Sequence, residues 1–66
     1  MKRKDLTKHG YTLVHKGSRR GYVSRKAVLG ELPAKPYKGR YGEGYTVETP
    51  RFDTTQYCDI EYWVKK

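Results

Sequence analysis

A single cysteine, Cys58, leaves this chain without any internal disulfide. A lone thiol suits a reducing compartment, so a cytoplasmic location is expected. Histidine is nearly as scarce. His9, His15 and Cys58 cannot fill a tetrahedral zinc site without carboxylates, and no spacing suggests one, so neither metal nor cofactor is expected. Long apolar runs are missing too. Met1-Lys2-Arg3-Lys4 is not followed by the roughly 7–15 apolar residues of a signal peptide. Nothing approaches the roughly 20 apolar residues of a membrane span, and no membrane partner is expected. There is no internal repeat and no low-complexity segment.

What remains is short, basic and rich in tyrosine. Sixty-six residues allow one domain, 1–66. A chain of this size buries only about 60% of its unfolded surface, so its core is marginal. Fifteen Lys and Arg against seven Asp and Glu give a net charge of +8. The charge is uneven: residues 1–40 hold twelve bases and two acids, residues 41–66 three bases and five acids. A basic half beside a slightly acidic half suggests a polyanion contacting the first, while a generic basic surface is the plainer explanation.

Strand signals dominate the pattern. Tyr11–Lys16 is rich in β-formers, Gly17-Ser18-Arg19-Arg20-Gly21 is a turn cluster, and Tyr22–Lys26 reads as a second strand; together they predict a basic hairpin. Asp5–His9 suits one helical turn stopped by Gly10 in a left-handed cap. Residues 27–44, with Pro33, Pro36, Gly39, Gly42 and Gly44, read as an irregular loop. Tyr45–Thr49 is a strand candidate, and residues 51–56 form a connecting loop. Tyr57–Val64 alternates most clearly, placing Cys58, Ile60, Tyr62 and Val64 on a core face and Tyr57, Asp59, Glu61 and Trp63 on the other. Burying Asp59 or Glu61 is costly, which fixes that assignment. The expected fold is mainly β: a small antiparallel sheet of about four strands in two hairpins, curled or barrel-like, with at most one short helical turn near the N-terminus.

Two clusters suit a nucleic acid, DNA or RNA, bound without sequence readout. Lys16, Arg19, Arg20, Arg25 and Lys26 surround the predicted hairpin turn, where they would neutralise phosphates. Tyr37, Lys38, Arg40 and Tyr41 interleave rings and cations on the predicted loop, a pattern that stacks bases while holding phosphates. For each cluster the bland alternative is a solvated basic turn. Tyr11, Tyr45 and Tyr62 read instead as core residues with wet hydroxyls. A second surface, Tyr57, Asp59, Glu61 and Trp63, suits a protein partner, unless Trp63 folds over a small core of its own. If that last strand is an edge, it also offers a homodimer contact by sheet extension.

Leu6, Gly10-Tyr11, Leu13-Val14, Gly17-Ser18 and Tyr22 locally resemble the HicA-type ribonuclease toxins, in which a helix leads into a strand, a Gly-Ser-His turn and a second strand. The resemblance implies RNA contact by this segment. It covers under a third of the chain, and Arg19 stands where that family carries its catalytic histidine. A small metal-independent ribonuclease would have to use His9 and His15 as acid and base, although a histidine on a basic surface is more often plain polar surface. Cys58 alternates onto the apolar face and is no candidate nucleophile. No catalytic set is expected. The leading expectation is a non-enzymatic nucleic-acid-binding module. The alternative is a small protein-interaction module, an inhibitor or accessory factor of a mobile element such as a phage, acting on an acidic host protein surface.

Overall fold

The structure, a computed structural model, describes residues 1–65. Helix α1 (Arg3–Lys8) leads into strand β1 (Tyr11–Arg20), a 3-10 turn (Leu29–Glu31), then strands β2 (Ala34–Gly39), β3 (Gly42–Thr49) and β4 (Tyr57–Lys65). The strands form one open antiparallel sheet in the order β1-β4-β3-β2.

The expected class is met: mostly β, four antiparallel strands, two hairpins and one short N-terminal helix. Its hairpins are β2–β3 and β3–β4. The predicted hairpin of 11–16 with 22–26 does not form. Instead β1 runs straight through Gly17-Ser18-Arg19-Arg20, with Gly17 opposite Ile60 and Arg19 opposite Cys58, and residues 22–26 lie outside any strand. The reason is β4. It is the longest alternating apolar run and lies inside the sheet, where both of its backbone edges need a partner, and β1 supplies nine paired residues around a bulge between Leu13 and His15. The turn cluster yields to that demand until Gly21, whose N–H donates to the Gln56 carbonyl.

The loop expected over 27–44 holds only in its first part. Residues 34–49 form the β2–β3 hairpin, and Pro36 is accommodated because β2 is an edge strand, where a missing N–H costs no ladder bond. Gly44 is the tightest point of the sheet. A Cβ there would overlap the Trp63 carbonyl oxygen and lie 2.9 Å from Val64 Cα. The absence of a side chain lets β3 cross β4 closely and bend the hairpin tip over the sheet.

Helix α1 is held by its surroundings, since six residues have little intrinsic stability. The Lys2 N–H donates to Asp5 Oδ2, and Gly10 follows the helix with a positive φ of 84°. The Arg3 N–H donates to the Leu32 carbonyl (2.8 Å) and the Ala34 N–H to the Met1 carbonyl (2.9 Å), strapping the helix beside the 3-10 turn. Lys2 and Lys4 both hold Glu31, at 2.5 and 2.6 Å, and these contacts lower its carboxyl to a pKa of about 2. Leu6 is the helix's single buried residue and completes a cluster with Leu32, Val47 and Trp63, edged by Tyr11, Val23, Ala27, Ala34 and Tyr45.

This places the main core on the Trp63 face of β4, contrary to the sequence expectation. Cys58, Ile60 and Val64 are buried on the other face as expected, but Glu61 and Trp63 are buried as well, 3% and 8% exposed. Glu61 tolerates burial because every bond it needs is supplied. Arg3 donates through Nε (2.7 Å) and Nη2 (3.1 Å), and Trp63 donates through Nε1 (3.1 Å). Desolvation pushes the Glu61 carboxyl up, yet the Arg3 and Trp63 hydrogen bonds outweigh it and leave its pKa below the usual value.

Candidate functional site

Antiparallel register sorts every strand residue onto one of two faces. The covered face carries Tyr11, Lys16, Ser18 and Arg20 from β1, beside Val47, Glu61 and Trp63. The opposite face carries His15, Gly17 and Arg19 from β1, Cys58, Ile60 and Tyr62 from β4, Thr46 and Glu48 from β3, and Lys35 and Tyr37 from β2. The molecule measures 32 × 23 × 15 Å, so one sheet and one thin layer fill its thickness. With α1 and the 3-10 turn on one side, the other side of the sheet stays open.

On that open face four rings gather. His15 stacks on Tyr41, centroids 4.9 Å apart and planes 16° from parallel. Tyr62 lies against both, at 5.5 and 5.2 Å, and Tyr37 meets Tyr62 edge-on at 5.1 Å. Tyr41 reaches β1 because the hairpin tip bends across β4. The Tyr41 N–H donates to the Tyr37 hydroxyl (3.4 Å), and the Tyr37 ring lies against Gly39, where a Cβ would come within 2.9 Å of that hydroxyl. Tyr37 therefore positions Tyr41. His15 is exposed, while Tyr37, Tyr41 and Tyr62 are half-buried. The sequence reading missed His15 and Tyr62 as members of this cluster. Alternation along β4 places Tyr62, but pairing His15 with it requires the β1–β4 register, which no local pattern carries.

Cations rim the rings. Arg19 and Lys35 share Glu48, each at 3.5 Å, and exposed Arg40 precedes Tyr41 in the β2–β3 turn. The predicted basic residues do not form one surface. Strand alternation sends Lys16 and Arg20 to the covered face and Arg19 to the open one, Arg25 binds the Arg51 carbonyl (2.9 Å) from the following loop, and Lys26 and Lys38 stand apart and exposed. Residues Tyr57, Asp59, Glu61 and Trp63 do not make an interface either: Trp63 and Glu61 are internal, Asp59 faces Lys16 (3.8 Å) and Arg51 (3.9 Å), and only Tyr57 is exposed. Because β4 lies between β1 and β3, it has no free edge for a homodimer by sheet extension. The Gly17-Ser18-Arg19 segment is mid-strand, so the local likeness to the ribonuclease toxins stops at the helix-to-strand step.

A second concavity, about 490 Å³, lies on the covered face between Arg3, Lys16, Arg51, Asp53, Asp59 and Glu61, with exposed Phe52 on its lip. Its charges answer each other: Arg3 holds Glu61, Lys16 faces Asp59, and Arg51 holds Asp53 at 2.7 Å. That leaves no surplus charge for an ionic ligand. Cys58 is fully buried, and burial and the neighbouring Glu48 charge raise its thiol pKa, which suppresses the thiolate needed for nucleophilic chemistry. Among the described residues no three His, Cys, Asp or Glu side chains group to hold a metal ion, and no helix is long and apolar enough to cross a membrane. No protein-family model, curated protein or solved structure matches the chain.

Proposed function

We propose that this protein is a non-enzymatic nucleic-acid-binding module acting through the open face of the sheet and the β2–β3 tip. The observation that carries this reading is how much positive charge survives folding. The carboxylates engage Lys2, Arg3, Lys4, Lys16, Arg19, Lys35 and Arg51. Besides Lys8 and Lys65, Arg20, Arg25, Lys26, Lys38 and Arg40 are exposed and have no carboxylate partner among the described residues. These five all belong to the clusters singled out from sequence. Arg19 and Lys35 share one carboxylate, so part of their charge also faces outward. These cations are spread over both faces rather than gathered in one patch, and it is their summed positive field that attracts a polyanion. A cytoplasmic setting accords with the lone buried thiol.

Binding by phosphate neutralisation releases counterions, so affinity for DNA or RNA falls steeply with salt, with a log–log slope of about −0.7 to −0.9 per phosphate contacted. Arg19→Glu with Arg40→Glu weakens binding and flattens that slope. Titration of labelled oligonucleotides across salt concentrations measures both. Binding that is absent, or indifferent to salt, sinks the reading. In that case a stoichiometric protein captured from nuclease-treated lysate would favour the interaction-module alternative.

A further inference from the structure

We infer that the ligand of the open face is single-stranded nucleic acid, its unpaired bases stacking on the His15–Tyr41 ring pair. This rests on the nucleic-acid reading and narrows it. Charge alone does not distinguish a duplex from a single strand, because both present phosphates. The rings do. A base within a duplex has its faces covered by its neighbours, whereas an unpaired base offers a π-face to any aromatic platform. Here four rings lie within about one ring diameter of each other on a sheet face that no helix covers.

The division of labour within the cluster supports a platform. Tyr62 is the floor, touching both His15 and Tyr41. Tyr37 is a brace, its hydroxyl accepting the Tyr41 N–H and its ring edge-on to Tyr62. The near-parallel His15–Tyr41 pair is the upper element, with His15 exposed. Gly17 follows His15 on the same face of β1, and the His15 ring leans over it, so that a Cβ there would lie 3.6 Å from His15 Nε2. For the flanking phosphates the same face of β1 carries Arg19, and the turn that bears Tyr41 carries exposed Arg40.

Among the described residues no long helix or projecting β-ribbon offers the element that reads a duplex groove. Groove recognition uses a projecting helix or β-ribbon that enters the groove. The predicted basic ribbon of residues 11–26 does not form, α1 is six residues packed on the sheet, and the β2–β3 tip reaches back across β4 to His15.

The test uses fluorescence anisotropy at low salt with three labelled probes: oligothymidylate DNA and oligouridylate RNA of ~10 nucleotides, and a DNA duplex of the same length. At least one of the single strands binds about tenfold or more tightly than the duplex. His15→Ala and Tyr41→Leu each weaken single-strand binding by roughly 5- to 100-fold, without changing the salt slope. His15 is exposed, so its variant stays folded by circular dichroism even if Tyr41→Leu does not. Equal affinity for duplex and single strands, or a folded His15→Ala that binds as the parent does, overturns the stacking inference and leaves a phosphate-only module. Failure to bind any of the probes at low salt overturns both this inference and the reading beneath it.

Discussion

On one face of β4, Glu61 accepts hydrogen bonds of 2.7–3.1 Å from Arg3 and Trp63; on the other, Tyr62 meets His15, Tyr37 and Tyr41 ring against ring. The first face is sealed by Leu6 and Leu32; on the second, Cys58, Ile60 and Val64 are buried by neighbouring side chains with no helix above them. Polar groups on the sealed face must be satisfied internally, and Glu61 is. Rings on the open face have no such constraint, so their packing leaves contact area to spare. A domain of this length has room for one covering layer, and where that layer sits decides which face is core and which is available for binding.

Substitutions that respect or violate this difference should separate by size of effect. The largest is expected at Gly44, where both faces depend on one close crossing. Gly44→Ala forces backbone apart and should cost at least about 3 kcal/mol, a large part of the roughly 3–10 kcal/mol available to a domain this small; loss of cooperative urea unfolding measures it. Next is the sealed face. Glu61→Ala leaves the Arg3 guanidinium and the Trp63 N–H without their acceptor, a loss of about 2–4 kcal/mol read from the denaturation midpoint.

The same carboxylate contributes to the acid limit, together with the exposed Glu31 and Asp53, whose pKa values are also lowered by their cation partners. Its folded pKa lies below the ordinary value of 4.5, so its contribution is complete above that pH and is lost as pH falls through the folded value. Thermal stability should therefore decline below about pH 4.5, and Glu61→Gln should flatten that decline while lowering stability at neutral pH. The open face should give smaller effects. Tyr62→Leu removes the ring that touches three others and should cost about 1 kcal/mol, and His15→Ala less than about 0.5 kcal/mol. If His15→Ala destabilised the fold as much as Glu61→Ala, the open face would be a second core, and the contrast between the faces would fail.

Legibility in the sequence followed locality. The range of β4, the turn of helix before Gly10 and the mostly antiparallel β class are written in alternation and in cap chemistry, and each formed as expected. The strand at Ala34–Gly39 was hidden because Pro36 reads as a breaker until its place at a sheet edge is known. The strand through Gly17-Ser18-Arg19-Arg20 was hidden because a glycine-bearing basic stretch resembles a turn until β4 requires a partner. Glu61 misled for a related reason: a carboxylate argues against burial unless a cation from 58 residues away completes it. The site was half visible. Tyr37, Arg40 and Tyr41 stand together in the sequence, whereas His15 and Tyr62 join them only through long-range register.

The strand order has a consequence for how the chain acquires its sheet. Hairpin β2–β3 closes over a two-residue turn, so it can form early and locally, while β1 pairs solely with β4, more than 35 residues away. Long-range pairing of this kind is slow, because the loop entropy is lost before the contacts form. Until β4 arrives, Tyr11–Arg20 has no neighbour, and its Leu13 and Val14 side chains remain largely exposed even in the finished fold. Like β2, β1 is an edge strand of the sheet, and its amide protons should exchange before those of β3. His15 rides on that strand, so the ring pair opens and closes with the edge that carries it.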